Sequence, residues 1–223
     1  MVVGERKVLS EIKEMVRPYA KILIAGCDTC TAESLSGGRK QVAELAAALD
    51  MACRLEGKEM EILEISVDRQ CIHEFLLDII DQSGEVEAVL SMACGAGVQS
   101  LAERLPAKPV YPALNTMFIG ETAANGLWQE RCQGCGDCLL GVTGGLCPVT
   151  RCAKGLLNGP CGGSQGGRCE ISAVLKCDVP CIWQLIYERL EQLGELDRLN
   201  TYAPPKDWRH GGGIGPRQLV RQV

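Results

Sequence analysis

The chain has 223 residues, a formal net charge of −5, two histidines and fourteen cysteines. That length suits one large domain or two small ones. The acidic balance, with no basic stripe, argues against nucleic acid and anionic membrane surfaces as partners, and no apolar run approaches the roughly 20 residues that cross a bilayer.

The first residues, Met1-Val-Val-Gly-Glu-Arg-Lys-Val, lack the apolar core of an export signal. A cytoplasmic, reducing location is therefore expected, where thiols stay open and dense cysteine means metal or redox chemistry. With only His73 and His210 available, a metal here would be held mainly by thiolate, which selects zinc, copper(I) or iron–sulfur clusters.

Along the chain, Val8, Ile12, Met15 and Val16 predict an amphipathic lead-in helix over 5–17. Lys21-Ile-Leu-Ile-Ala25 reads as a buried strand, and a polar loop leads to a helix over 39–55 with Val42, Leu45, Ala46, Leu49 and Cys53 on one face. Strands are predicted at 60–67, 88–92 and 110–114, with helices at 72–82 and 98–105 between them. Short loops and repeated strand–helix alternation imply parallel strands with right-handed crossovers. The fold class is α/β, an open parallel sheet of Rossmann or flavodoxin type. From about Gly126 the periodicity fades into a Cys/Gly-rich stretch that metal would have to organise, before a helix at 182–193. The expected organisation is an α/β domain over 1–125, a metal-cluster domain over 126–200, and an extended tail over 201–223 carrying Ala203-Pro-Pro-Lys and Gly211-Gly-Gly-Ile-Gly-Pro.

Two groups of cysteines follow from this layout. Cys27 and Cys30 come after the first strand of the alternating series, Cys71 after the second and Cys94 after the third. In a parallel sheet these loops emerge on one edge, the carboxyl ends of the strands where ligands bind. Four cysteines is the ligand count of a 4Fe–4S cluster. Scattered core or surface thiols are the plainer reading, and Cys53 is assigned to the core. A thioredoxin-like dithiol at Cys27-Asp-Thr-Cys30 is a rival. It wants a helix N-terminus at the pair, whereas Thr31 to Gly38 separates the pair from the strong helix.

The second group is Cys132, Cys135, Cys138, Cys147, Cys152, Cys161, Cys169, Cys177 and Cys181, nine cysteines within fifty positions. It opens C-x2-C-x2-C, the spacing that begins a ferredoxin cluster-binding run, and Cys147 precedes a proline. Nine is one more than two four-ligand sites need, and the choice between Cys177 and Cys181 stays open. Structural zinc at one four-cysteine site is the alternative. Gly95-Ala-Gly97-Val-Gln-Ser100 lacks the third glycine of a dinucleotide turn and is read as presenting Cys94. No Ser/His/Asp or Cys/His catalytic set can be assembled.

The segment Leu146-Cys-Pro-Val-Thr-Arg-Cys-Ala-Lys-Gly-Leu-Leu-Asn-Gly-Pro-Cys-Gly-Gly163 resembles the C-terminal domain family of methylenetetrahydrofolate reductases, found as the small zinc or iron–sulfur subunit in acetogenic bacteria. Cys135-Gly-Asp-Cys138, Thr143-Gly-Gly-Leu-Cys147, Arg168-Cys-Glu170, Cys181-Ile-Trp183 and the turn at Cys94 add to the resemblance, which runs from about residue 20 to 208. Many relatives carry a further cysteine in the first loop, where this chain has Ser34. The resemblance implies an FMN-binding barrel subunit as partner and leaves room for further electron-transfer subunits. It implies a role here as the non-flavin, electron-carrying subunit with two or three 4Fe–4S clusters, inactive alone. The metal ligands expected are Cys27, Cys30, Cys71, Cys94, Cys132, Cys135, Cys138, Cys147, Cys152, Cys161, Cys169 and Cys181, with no flavin or folate site and no catalytic residue in this chain. A zinc-stabilised docking module and a stand-alone dithiol oxidoreductase at Cys27/Cys30 are the competing functions.

Overall fold

The computed structural model describes residues 1–211 and 217–221, so the glycine-rich tail motif lies outside the described residues beyond Gly211. The chain divides into two compact units, Met1–Gln129 and Glu130–Val223.

In the first unit, β1 (Val2–Arg6) and α1 (Leu9–Val16) precede β2 (Lys21–Cys27), a single helical turn α2 (Cys30–Glu33) and the long α3 (Arg39–Leu55). Then come β3 (Glu61–Val67), α4 (His73–Ser83), β4 (Ala88–Ser91), α5 (Gly95–Arg104) and β5 (Val110–Pro112). The strands β3-β2-β4-β5 form one parallel sheet in that order. Side chains alternate across a strand, so β2 serves both faces of the sheet. Ile22 and Ile24 pack with Ile12, Val16, Val42, Leu45 and Leu49 of α1 and α3. Leu23 and Ala25 pack with Leu76, Ile79 and Leu101 of α4 and α5. The core is aliphatic, as a chain with only three Trp, four Tyr and two Phe requires.

The chain steps from β2 outward to β3, then back across β2 to β4. The topological switch therefore lies between β2 and β4, and open sheets of this kind place their ligand crevice beyond those carboxyl ends.

A second sheet departs from the sequence reading. The long strand β6 (Leu114–Ala124) and β7 (Leu127–Cys132) join β1 in an antiparallel sheet of order β1-β6-β7. The expected lead-in helix over 5–17 is thus part strand and part helix, and Leu114 opens β6 instead of closing a strand at 110–114. Asn125-Gly126 forms the β6–β7 turn, with Gly126 at φ 76°, a conformation glycine adopts without steric cost. The Met1 amino group donates to the Gly120 carbonyl at 3.0 Å, tying the chain start to β6.

The second unit has little regular structure. Its helices are α6 (Pro148–Arg151), α7 (Ile171–Leu175) and α8 (Ile182–Leu193), followed by 3-10 turns at Leu196–Asn200 and Trp208–His210. Only α8 has an apolar stripe to bury, and Cys181, Ile182, Trp183, Ile186 and Leu190 make the unit's core. Residues 203–211 lie against this same unit. The Asn158 amide exchanges two hydrogen bonds with the Ala203 backbone at 2.8 and 2.7 Å. The Lys206 ammonium, almost fully buried, donates to the Asp137 carbonyl and pairs with its carboxylate at 3.4 Å. Among the described residues no helix is long and apolar enough to cross a membrane.

Candidate metal centres

The first group of cysteines sits around the switch-point crevice. Cys27 ends β2, Cys30 opens α2, Cys71 lies between β3 and α4, and Cys94 is the N-cap of α5. Three loops are knitted together there. Thr31 donates its hydroxyl to the Cys27 carbonyl (2.9 Å) and the Met92 carbonyl (3.1 Å). Thr29 donates to the Asp68 carbonyl, and the Asp28 N–H to Val67 at 2.8 Å.

Beneath them lies Gln70, fully buried. Its amide nitrogen donates to the Ala25 and Gly26 carbonyls (2.8 and 3.0 Å), and its oxygen accepts from the Ser91 hydroxyl at 2.7 Å. One side chain thereby joins the ends of β2 and β4 to the loop that carries Cys71. Gly97 permits this packing, because a Cβ there would stand 2.7 Å from the Ala93 Cβ and 2.9 Å from that of Gln70. The sequence reading missed Gln70, and a polar residue next to a candidate ligand was its signal.

Burial pushes the Cys27 thiol above its ordinary value, and the nearby Cys94 adds to the rise. Hydrogen bonds from the Gln70 and Thr29 backbone and the Thr31 side chain oppose it. A nucleophilic dithiol needs the opposite shift. A helix does begin at the pair, contrary to the sequence expectation, but it is only the single turn α2. Cys71 is exposed, whereas Cys30 and Cys94 are partly buried. Ser34 is buried and hydrogen-bonded to the Ser36 hydroxyl at 3.0 Å. Cys53 is buried in α3. His73 accepts at Nδ1 from Arg104 at 2.7 Å, a surface contact.

In the second unit, Cys152, Cys161, Cys169 and Cys181 line one cavity of about 120 Å3. Cys181 is the N-cap of α8. Burial works to raise its thiol, yet hydrogen bonds from the Ser164 hydroxyl and the Gln184 and Trp183 backbone outweigh it and hold the thiol below its ordinary value. The shift favours deprotonation relative to an ordinary thiol, and thiolate is the form that binds metal. Lys154 pairs with Glu170 at 2.6 Å. Its pKa is raised first by that bond and further by Cys161, so a cation stands beside this sulfur group. Cys177 is exposed and does not line the cavity.

The remaining four are Cys132 at the end of β7, Cys135 and Cys138 in the loop that Lys206 clamps at Asp137, and Cys147 at the N-cap of α6. The Gly134 N–H points at the Cys132 sulfur at 3.3 Å, and the Cys147 thiol lies 3.6 Å from the Thr150 hydroxyl. Gly134 and Gly136 have φ 63° and 78°, which lets the loop curl tightly. Gly211 packs so closely here that a Cβ would stand 2.8 Å from the Cys135 carbonyl oxygen.

Lining one cavity is not the same as bonding distance. Among the described residues no three His, Cys, Asp or Glu side chains are grouped closely enough to hold a metal ion. The donor set nonetheless fits the expected groups, because four thiolates are the complement of a tetrahedral zinc site or a 4Fe–4S cluster. Each group has a lysine beside it, Lys206 paired with Asp137 at one and Lys154 paired with Glu170 at the other.

No curated protein matches this chain. Among solved structures, an extracellular ligand-binding receptor from Verminephrobacter eiseniae ef01-2 aligns with a TM-score of 0.35 and 14% identity, covering 47% of this chain and 28% of the receptor's length. That likeness carries no argument about function. Residues 111–209, a span that includes all nine cysteines of the second group, match a family described as methylene-tetrahydrofolate reductase C terminal.

Proposed function

We propose that this chain is the non-flavin subunit of a methylenetetrahydrofolate reductase complex, and that its cysteines hold iron–sulfur clusters delivering electrons to FMN on a partner catalytic subunit. The observation that carries the reading is the matched segment itself, within which Cys152, Cys161, Cys169 and Cys181 face one small cavity. A bound cluster would supply a one-electron store that changes charge with little rearrangement. The protein's part is to position and to tune. Cys181 offers a sulfur whose pKa is lowered by the Ser164 hydroxyl and the Gln184 and Trp183 backbone. Lys154 and Lys206 bring positive charge to the two sulfur groups of the second unit. Gln70 holds the Cys27, Cys71 and Cys94 loops in register.

Anaerobic purification followed by iron, sulfide and zinc analysis and an EPR spectrum tests this reading. Acid-labile sulfide and a cluster signal are expected. Zinc without sulfide would overturn the electron-transfer role and favour a docking module.

Single substitutions assign the ligands. Cys181→Ser should remove one site's metal, while Cys177→Ser should leave metal content unchanged, since only Cys181 lines the cavity. Equal loss in both would break the partition. In the first unit, Cys71→Ser should lower iron by up to one cluster and spare the second unit. Cys53→Ser should keep all iron and cost about 1 kcal/mol of packing. Full iron in Cys71→Ser would remove Cys71 from the ligand set.

A further inference from the structure

The second unit also holds an apolar cleft of about 390 Å3 beside α8, lined by Leu139, Leu157, Trp183, Tyr187, Leu199 and Tyr202 among others. Its volume lies within the range of specific binding sites. Three aromatic side chains gather here in a chain that has few, and Tyr202 is 70% exposed. Large exposed aromatics of this kind are what interface hot spots are made of.

Most polar side chains of the lining are already engaged. Asn158 is committed to Ala203 through both ends of its amide. Arg198 donates to the Gly141 carbonyl and to Glu195, both at 2.7 Å. The Thr143 hydroxyl donates to Leu146 at 2.6 Å, and the Gln184 amide to Glu188 at 2.9 Å. A nucleotide, flavin or folate buries many polar atoms and needs free partners for them. An apolar side chain needs none.

The flank of the cleft is acidic. Glu188, Glu191, Glu195 and Asp197 stand on α8 and the turn after it, against the cations Arg189 and Arg198. Trp183 and Pro160 line both this cleft and the four-cysteine cavity, so an occupant of the cleft lies one side chain away from those sulfurs.

We infer that the cleft is the docking seat for the flavoprotein partner, receiving an apolar side-chain anchor flanked by basic residues. The inference rests on the reductase reading above and adds the surface and the chemistry of contact. Complementary charge steers such an encounter, and the buried anchor holds it.

The test measures binding of the full chain, purified anaerobically, to the purified FMN-containing methylenetetrahydrofolate reductase subunit of the same organism. Tyr202→Ala and Leu199→Ala should each raise the dissociation constant at least about tenfold, with metal content and circular dichroism unchanged. Glu188→Lys, at an exposed position, should also weaken binding, and added salt should narrow its difference from the unaltered chain. Leu55→Ser, on an exposed position of α3, should bind normally. Unchanged affinity in Tyr202→Ala and Glu188→Lys would overturn the docking seat and leave the reductase reading standing. No binding by the unaltered chain would overturn both.

Discussion

Stripping the purified chain of metal with a mercurial and a chelator should unfold its second unit and leave its first intact. The two units differ in what can hold them. The first has a parallel sheet covered on both faces, with buried aliphatic side chains from β2, β4 and four helices. Burying each such side chain contributes about 1.5–3 kcal/mol, and the set needs no metal.

The second unit has one amphipathic helix and a cluster of five buried core residues, three of which (Cys181, Ile182 and Trp183) line the cysteine cavity. Its long loops would gain little from burial to offset about 1–2 kcal/mol of backbone entropy per ordered residue. In small metal-organised domains, binding contributes on the order of 10–16 kcal/mol and is the folding energy itself. Limited proteolysis with mass spectrometry should therefore show cleavage confined to residues after about 130 once metal is removed, and protection on reconstitution. A stripped chain that resists protease throughout would show that the second unit folds without metal.

Local periodicity decided what could be read from the sequence and what could not. Helices α3 and α8 coincide with their predicted ranges, because both combine a continuous apolar stripe with a glycine stop, Gly57 and Gly194. The edge placement of Cys27, Cys30, Cys71 and Cys94 followed from strand–helix alternation alone, since parallel topology determines where loops emerge.

The antiparallel sheet was hidden by non-locality. β1 pairs with β6 more than a hundred residues away, and Val2–Arg6 is too short to declare itself. Asn125-Gly126 was the one local sign of the β6–β7 turn. The grouping of Cys152, Cys161, Cys169 and Cys181 was unreadable because irregular backbone has no period from which facing can be deduced. Lys154, Ser164 and Lys206 were equally invisible, as their roles depend on contacts that spacing does not encode.

Gly37→Ala should be the most damaging single methyl in the first unit. A Cβ at Gly37 would stand 2.0 Å from the Met92 carbonyl oxygen and 2.6 Å from the Thr31 hydroxyl. Neither neighbour can yield. Met92 presents backbone from the turn after β4, whose N–H is bonded to Ala25 at 2.8 Å. Thr31 is buried and bridges the Cys27 and Met92 carbonyls. Gly37 itself is fixed twice, accepting from the Cys27 N–H at 2.8 Å and donating to the Thr31 carbonyl at 2.9 Å. The added methyl must therefore push the 28–38 loop off the β4 turn, and Cys27 and Cys30 travel with that loop. Overpacking of this kind costs about 1–3 kcal/mol, more where backbone is the obstacle, and about 3 kcal/mol is expected here. Gly84→Ala serves as the control. Its Cβ would meet only the Asp81 carbonyl, at 3.4 Å, in helical backbone with φ −56°, so a gain of about 0.5 kcal/mol is expected from reduced freedom of the unfolded chain. Hydrogen exchange of peptides covering β2 and α2, followed across a urea series, should show early opening in Gly37→Ala, faster alkylation of Cys27, and neither change in Gly84→Ala. Native protection in Gly37→Ala would mean that the two loops are not packed together, and the crevice that brings Cys27 and Cys94 near each other would have to be redrawn.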